Sequence, residues 1–484
     1  MNYGYLTVLV VYLIVVLGVG VWGLKRESYD GYTVAEHNVG LPLSVGSFFA
    51  TYISSATVVG FVGYTTLNGA AIFPTYFWGF ALGWITLTLA AARMRGLGLR
   101  TVPSLFQARH KSSGLRAISA AVIVVAFVFS VMTQLVAGSI VLNVVVGIPQ
   151  VVALVLLAVV LTIYTVMGGL VAVIRTDFLQ GGLILVAVLS AFAVVVANVG
   201  GDLFRIEADQ SNLFQGSITS PVDVIAFLLI AWGGVAAQPY YLHRFFAAKD
   251  AFTARQMIGV GALLATIVYL AIMFIGMALP QLLPSDQLGD SAMIAFGLDQ
   301  GGILGSLLLI GIVCAVQSTV DSALHLAGVY TTEDIIVRFR STMTEDTKLF
   351  LARSVTAILG VVCMGGAIYF VISGGEFIVT LLNLWLGTLS SAILIPLYGS
   401  LLWRRATALG ALCSSVGGFL GYFTTLMLTE YGDVQVPGHP IFYGFGISLA
   451  AMVVISLVTK PVSDPEVNRI FFGDAEEPNQ VTSP

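Results

Sequence analysis

Apolar runs of about 18 residues or more recur along the whole chain, and each can cross a hydrocarbon core about 30 Å thick as a helix. Nothing else in the sequence restricts the fold so strongly. Of the 484 residues, 58% are hydrophobic and 10% charged, against roughly 45–50% and about 25% in an average soluble domain. Spans and short loops therefore consume most of the chain and leave no stretch for a large soluble catalytic or ligand-binding domain. The expected class is an all-α integral membrane protein.

Hydropathy and turn residues together place thirteen transmembrane helices near 5–24, 44–66, 74–94, 117–147, 149–167, 176–199, 222–241, 256–280, 301–330, 352–373, 377–402, 407–429 and 440–459. The run Tyr5 to Leu24 precedes any Lys or Arg and lacks the basic leader of a secretory signal, so it is expected to stay as a span. With the N-terminus outside, every one of the 21 lysines and arginines except Arg205 falls on the inner side, Arg244 among the loop cations. That bias fixes the C-terminus as cytoplasmic and supports an odd span count. Acids such as Asp202, Glu207, Asp209, Asp286, Asp290, Glu430 and Asp433 fall outside and read as solvated loop charge. Residues 1–460 form one transmembrane domain by this reading, and 461–484 a disordered cytoplasmic tail rich in Pro, Asp, Glu and Asn.

Several function classes drop out. A net charge of −4 offers no basic field for nucleic acid. Cys314, Cys363 and Cys413 lie in apolar runs without metal-ligand spacing, and the five histidines are scattered. There is no His-Glu-x-x-His, no paired membrane Asp motif and no phosphate loop, so neither an enzyme nor direct use of ATP is indicated. The partners expected are a small-molecule substrate, an ion and the lipid bilayer, with the chain working as a monomer.

Spans two to six and seven to eleven form two sets of five, at about 43–199 and 222–402. Five is odd, so the sets enter the membrane from opposite sides, and a shared fold would relate them by inversion in the membrane plane. Both leading helices are interrupted. Span two carries Gly46, Ser54, Ser55, Thr57, Gly60 and Gly63; span seven carries Gly233, Gly234, Gln238 and Pro239. A broken helix frees backbone groups that hydrocarbon cannot satisfy, so such breaks face protein, water or ligand, although glycine also serves close helix packing.

The sharpest polar cluster is Cys314-Ala-Val-Gln-Ser318-Thr319-Val-Asp321-Ser322 in span nine. At about 100° per residue, Ala315, Ser318, Thr319 and Ser322 share a stripe with Asp321 at its edge. Oxygen ligands with so few carboxylates suit Na⁺ better than Ca²⁺. Back-bonding of the hydroxyls to the preceding turn is the alternative. Asp321 demands more, because a carboxylate at mid-membrane costs roughly 2.5 kcal/mol or more.

A second run, Tyr164-Thr165-Val-Met-Gly168-Gly169-Leu170 through Arg175-Thr176-Asp177 to Gln180, resembles the signature of the sodium:solute symporter family. Ala50 to Ser54, Ala315 to Ser322, Thr332-Glu333-Asp334, Gln238-Pro239 and Arg244 to Asp250 agree with it, so the resemblance covers about residues 5 to 460. It implies the leucine-transporter-type 5+5 inverted repeat, with one extra N-terminal and two extra C-terminal helices. It also implies a plasma-membrane symporter that uses Na⁺ as its coupling ion. Its sodium site is similar to the carbonyls of Ala50, Ile53 and Ala315 with the hydroxyls of Ser318 and Thr319. Sialic acid transporters of the family have a second sodium site similar to Asp177, Ser318, position 321 and Ser322; here position 321 is Asp. That departure could strengthen a second cation site, admit a proton or change the ion preference.

Substrate is expected beside the broken helices, with Ser54, Ser55, Thr57, Gln134, Trp232, Gln238 and Asn383 as candidates. Gln134 could equally be an interhelical hydrogen bond, and Trp232 a packing or interface residue. No Lys or Arg falls at a predicted midplane position. Ala50 to Ser54 resembles pantothenate and monocarboxylate carriers most. Proline carriers have Asp at the position of Tyr52 and Trp at that of Ala56; sugar carriers have Asn at Tyr52 and Gln at Thr57. The expected cargo is a small organic carboxylate such as pantothenate or a monocarboxylate. A proline, amino-acid, sugar or sialic-acid symporter is the alternative, followed by a transporter-like sensor or a cation channel.

Overall fold

The computed structural model describes residues 3–22, 28–200, 220–339, 343–374, 378–431, 434 and 436–473. Among the predicted loop charges, Lys25, Arg26, Asp202, Arg205, Glu207, Asp209, Arg340 and Asp433 lie outside the described residues. In chain order the helices are α1 (Tyr3–Trp22), α2 (Tyr29–Val34), α3 (Leu41–Tyr52), α4 (Val62–Asn68), α5 (Ile72–Gly96), α6 (Val102–His110), α7 (Ser113–Val146), α8 (Gln150–Met167), α9 (Leu170–Val199) and α10 (Pro221–Ala236). They continue as α11 (Pro239–Ala247), α12 (Ala251–Leu282), α13 (Ala292–Gln300), α14 (Gly302–Tyr330), α15 (Glu345–Ile372), α16 (Ile378–Leu389), α17 (Ile395–Leu402), α18 (Ala408–Tyr431), α19 (Pro440–Val458) and α20 (Pro465–Phe472).

Among the described residues, eleven helices are long and apolar enough to cross a membrane, and α3 with Ala56–Asn68, bent by 46°, makes a twelfth when read as one span. The 20-residue α1 is apolar as well. Side chains such as Leu89, Ile163 and Val361 stand well exposed on the outside of these helices. An apolar outer surface of that kind needs lipid to cover it.

Polar residues instead concentrate inside, on α3, α7, α9 and α14, the helices that cross one another at the centre. The signature run explains itself in these contacts. Tyr164 donates to Thr176 across the turn between α8 and α9 at 3.0 Å. Gln180 donates to the Tyr12 hydroxyl at 3.1 Å, and Tyr12 donates onward to Gln317 at 2.9 Å, which joins α1, α9 and α14. Each such bond satisfies a polar group that the apolar interior would otherwise leave bare.

The segment expected to be a disordered tail includes a helix. Asp464 caps α20 by accepting the Glu466 amide at 2.9 Å, and Val467 and Phe471 are buried. Phe472 lies 5.0 Å from the Arg109 guanidinium and 5.1 Å from that of Arg404. Two aromatic side chains and two cations thus dock a segment whose composition alone reads as unstructured; the remainder, 474–484, lies outside the described residues.

Candidate functional site

Two chain breaks meet at the centre. α3 stops at Tyr52, and Ile53 leaves the helical region with φ −83°, ψ 89°. Thr57 and Val58 donate to the Ser54 carbonyl at 3.0 and 3.1 Å, which restarts the chain as a π-helical turn over Ala56–Phe61. Serines favour such a break because their hydroxyls compete with the helical backbone. The second break follows from Pro239. It cannot donate, and it pushes the residue before it towards extended geometry, so Gln238 takes φ −67°, ψ 113° between α10 and α11. The paired glycines upstream have the other role considered for them. A Cβ on Gly233 would overlap Ser390, and one on Gly234 would press on Leu386, so these two serve close helix packing.

Around the first break, α14 presents its hydroxyl stripe to α3. Ser318 Oγ donates to the Ala50 carbonyl at 2.9 Å and lies 3.5 Å from that of Ala315. Thr319 Oγ1 donates to the carbonyls of Ala315 at 3.2 Å and Thr51 at 3.4 Å. Ala50, Ile53, Ala315, Ser318 and Thr319 are all fully buried, and Ile53 sits in the break itself. These are hard, neutral oxygens of the kind an alkali ion takes in place of water. The two hydroxyls would turn their protons away to offer lone pairs to an ion. Among the described residues no three of His, Cys, Asp and Glu gather into a metal-binding set.

The residues of the suggested second cation site do not converge in the same way. Ser318 is committed to the first cluster. Asp321 Oδ1 accepts from Thr165 at 3.0 Å, and its Oδ2 is buried without a partner. Asp177 and Ser322 do come together, but around the guanidinium of Arg244. Its Nη2 donates to Asp177 Oδ2 at 2.8 Å and to Ser322 Oγ at 2.9 Å. Arg244 was expected among solvated loop cations; instead its side chain is 3% exposed, inside the protein. The reason is α11, which continues inward past the second break and carries Arg244 with it.

Between the two breaks lies a cavity of about 20 Å³, lined among others by Ser54, Thr57, Gln238, Tyr52, Tyr269 and Trp385. That is room for about one water. Three of the seven candidate substrate residues line it. Thr57 meets the Tyr269 hydroxyl at 3.3 Å, and Gln238 accepts from Trp385 Nε1 at 3.1 Å while its own Nε2 stays buried and unpartnered. Tyr52 OH is likewise unpartnered.

The other four candidates are placed elsewhere. Ser55 donates to Gln134 Oε1 through its amide at 3.0 Å and its hydroxyl at 2.5 Å, an interhelical bond that leaves Gln134 Nε2 buried without a partner. Trp232 donates to Thr86 at 3.0 Å on the outer flank of α10, because the helical turn rotates it away from the break. Asn383 accepts from Tyr76 through its side chain and from Tyr422 through its carbonyl at 3.0 Å. Sequence reasoning missed the aromatic lining. Tyr52 lies 5.5 Å from Tyr241 and 5.9 Å from Phe80, ring centre to ring centre. Aromatic residues are frequent on every span, and no spacing distinguishes these; only Tyr52, within the family-like run after Ala50, was open to notice.

Comparison with known proteins agrees with this architecture. The model of the sodium:solute symporter family matches residues 32–418. The sodium/pantothenate symporter of Escherichia coli (strain K12) is 26% identical over 470 residues, covering 92% of this chain and 95% of that protein. The osmoregulated proline transporter of Bacillus subtilis (strain 168) is 26% identical over 486 residues, covering 93% and 94%. Among solved structures, a Na⁺-coupled sialic acid symporter in a substrate-bound outward-open state, with a novel Na⁺ site, superposes with a TM-score of 0.80 at 22% identity over 94% of this chain and 98% of that one. MhsT in complex with L-phenylalanine gives 0.55 at 14% identity, over 90% and 99%.

Proposed function

Because the chain belongs to the sodium:solute symporter family, we propose that it imports a small organic carboxylate, such as pantothenate or a monocarboxylate, by alternating access with Na⁺ bound between α3 and α14. The observation that carries the substrate class is the lining of the central cavity. Gln238 Nε2 and Tyr52 OH are buried donors without partners, and no acid or base stands among the lining residues. Unpaired buried donors favour an acceptor-rich ligand. The aromatic walls suit an apolar body.

We count thirteen spans by adding α1 to those above, with repeats at about 43–199 and 222–402 in a single domain over 1–460, the N-terminus outside and the chain acting as a monomer. Sodium at Ala50, Ile53, Ala315, Ser318 and Thr319 ties the broken helix to α14. By reciprocal linkage, solute bound beside Ser54, Thr57 and Gln238 then raises sodium affinity, and sodium raises solute affinity. Each charge moved inward yields about 2.3 kcal/mol per 100 mV, and each tenfold of gradient about 1.4 kcal/mol. Rocking of one repeat against the other exposes the site inward.

A second reading rests on the same aromatic faces. Tyr52, Tyr241 and Tyr269 could receive an ammonium group, which favours proline or another amino acid. Uptake into liposomes under an inward sodium gradient decides between them, with labelled pantothenate, acetate, pyruvate, lactate and proline. Sodium-stimulated uptake of a carboxylate without an amine supports the first reading; uptake of proline alone sinks it.

A further inference from the structure

At the face proposed above as cytoplasmic, the two broken helices are joined through backbone. Val39, just ahead of α3, donates to the Ala247 carbonyl at 3.0 Å and accepts from the Lys249 amide at 3.0 Å, a short parallel bridge to the end of α11. Val39, Ala247 and Ala248 are buried. Arg95 of α5 crosses this seam. Its Nε donates to the Ala248 carbonyl at 2.5 Å and its Nη2 to the Lys249 carbonyl at 3.2 Å. His37 Nδ1 donates to the Phe246 carbonyl at 2.7 Å, since a carbonyl can only accept.

The turn that leads into the seam is under strain. Ala35, Glu36 and His37 follow one another with φ of 49°, 55° and 55°. L-residues visit this left-handed region singly and seldom, because Cβ runs into the following carbonyl oxygen, and neither Ala nor Glu has a short side-chain amide or carboxyl to offset that contact. Such a turn persists only where its two ends are fixed by other contacts. Its leading end, α2, stands on α14 and α15: Tyr29 donates to Glu333, just past α14, at 3.0 Å, and the Tyr32 ring lies 4.6 Å from that of His325 and 5.6 Å from the Arg353 guanidinium. Its trailing end is held by the bonds to α5 and α11. A further bond ties the two ends together, from His243 Nε2 of α11 to the Thr33 carbonyl at 2.7 Å. Glu36 itself is exposed and makes no side-chain bond among the described residues.

We propose that Ala35–Glu36–His37 is a strained hinge whose relaxation offsets part of the cost of parting the seam between Val39 and Ala247–Lys249. While the seam is closed, the turn has no freedom to leave the left-handed region. Once the seam parts, the trailing end is free and the three residues return to ordinary backbone geometry. The strain therefore sets how often the seam opens, and the conformation of residue 36 tunes it without touching either binding site. That opening the seam serves transport rests on the alternating-access reading above; the hinge itself does not.

Hydrogen–deuterium exchange of the Val39 and Lys249 amides tests it, because exchange of a bonded amide reports local opening. The full-length protein is held in lipid nanodiscs and followed by mass spectrometry. Glu36→Gly, which takes a positive φ without steric cost, is expected to slow exchange about tenfold. Glu36→Asn should slow it by less, Glu36→Val should speed it, and Glu36→Gln, which changes only the charge, should leave it alone. Exchange unchanged or faster in Glu36→Asn overturns the hinge whatever Glu36→Gly does, because glycine also loosens the open form. A shift in Glu36→Gln as large as that in Glu36→Asn overturns it too. Should Glu36→Val fail to fold, the Asn and Gln variants decide. Slowed exchange in Glu36→Asn, with no sodium-stimulated uptake of any solute by the wild type, would sink the symport reading and leave the hinge standing. Wild-type uptake that is unaltered in a slowly exchanging Glu36→Asn would overturn the link between hinge and transport.

Discussion

Two polar clusters lie about one helical turn apart on the same stripe of α14, and they solve the problem of burial differently. Around Ser318 and Thr319 every oxygen is neutral, the bonds run hydroxyl to carbonyl, and a chain break supplies the carbonyls. Around Ser322 the cluster holds a buried ion pair, Asp177 with Arg244, whose contacts with Ser47, Thr51 and Ser322 all gather on Asp177 Oδ2 and the guanidinium, leaving Oδ1 without a partner. A neutral cluster can exchange its internal hydrogen bonds for an incoming ion at small cost. A buried ion pair exchanges less readily, because an incoming cation meets the repulsion of the guanidinium already in place. Proximity on one helix face therefore does not make two sites alike; what matters is whether the positive charge is covalently attached.

The largest effect expected from breaking this contrast comes from Asp177→Asn. It leaves the Arg244 guanidinium buried and unpaired, which costs about 3–5 kcal/mol, read as a lowered thermal transition in detergent. Sodium should not restore it, whereas the transition of Arg244→Ala should rise with sodium concentration. Equal sodium responses in the two variants would erase the distinction between the clusters.

Next in size, Ser318→Ala or Thr319→Ala removes one neutral oxygen each, worth about 1–2 kcal/mol. The sodium concentration for half-maximal uptake should rise about tenfold in each single variant. Unchanged sodium dependence in both would remove these hydroxyls from the ion site. Gln238→Leu should then raise the solute KM about tenfold through loss of the free Nε2 donor, while Trp232→Phe, which loses a bond to Thr86 on the outer flank, should leave it alone.

The smallest effect sharpens the comparison from a third carboxylate. Asp290, in the turn Gly289–Ser291 between α12 and α13, pairs with no cation among the described residues; its Oδ2 accepts the Ile378 amide at 3.0 Å, and Oδ1 is buried without a partner there. Burial pushes its carboxyl up to about 7, against the amide's opposing pull. The folded value lies above the unfolded one, so its contribution to stability is full at acid pH and is lost as pH rises through about 7. Asp290→Asn should flatten this dependence, moving the alkaline thermal transition by about 2 °C. A dependence identical in wild type and variant would place its origin elsewhere.

Much of this was legible in one dimension. Each expected span coincides with a helix or a pair of consecutive helices, because a run that must satisfy its own backbone in lipid has little choice of structure. The break and the hydroxyl stripe were legible separately, while the meeting of Ala50 with Ser318 was implied by the resemblance to the symporter family. Reading failed where neighbours decide. Trp232 and Asn383 are as polar and as near the breaks in sequence as Gln238, yet one faces the outer flank and the other is held by Tyr76 and Tyr422. Asp464 to Phe472 reads as a solvated end until Arg109 and Arg404 are placed beside its aromatics.

The amino-acid order by itself determined that this chain is a bundle of membrane-crossing helices, where two of them break, and which turn of α14 carries hydroxyls. Those features depend on local periodicity, on proline and serine chemistry and on the absence of water from lipid. Only the tertiary structure decided that Arg244 points inward to Asp177 and that Tyr52, Tyr241 and Trp385 share a wall. Charges and rings acquire partners across hundreds of residues, and the partner, not the residue type, sets whether a buried group is free to bind.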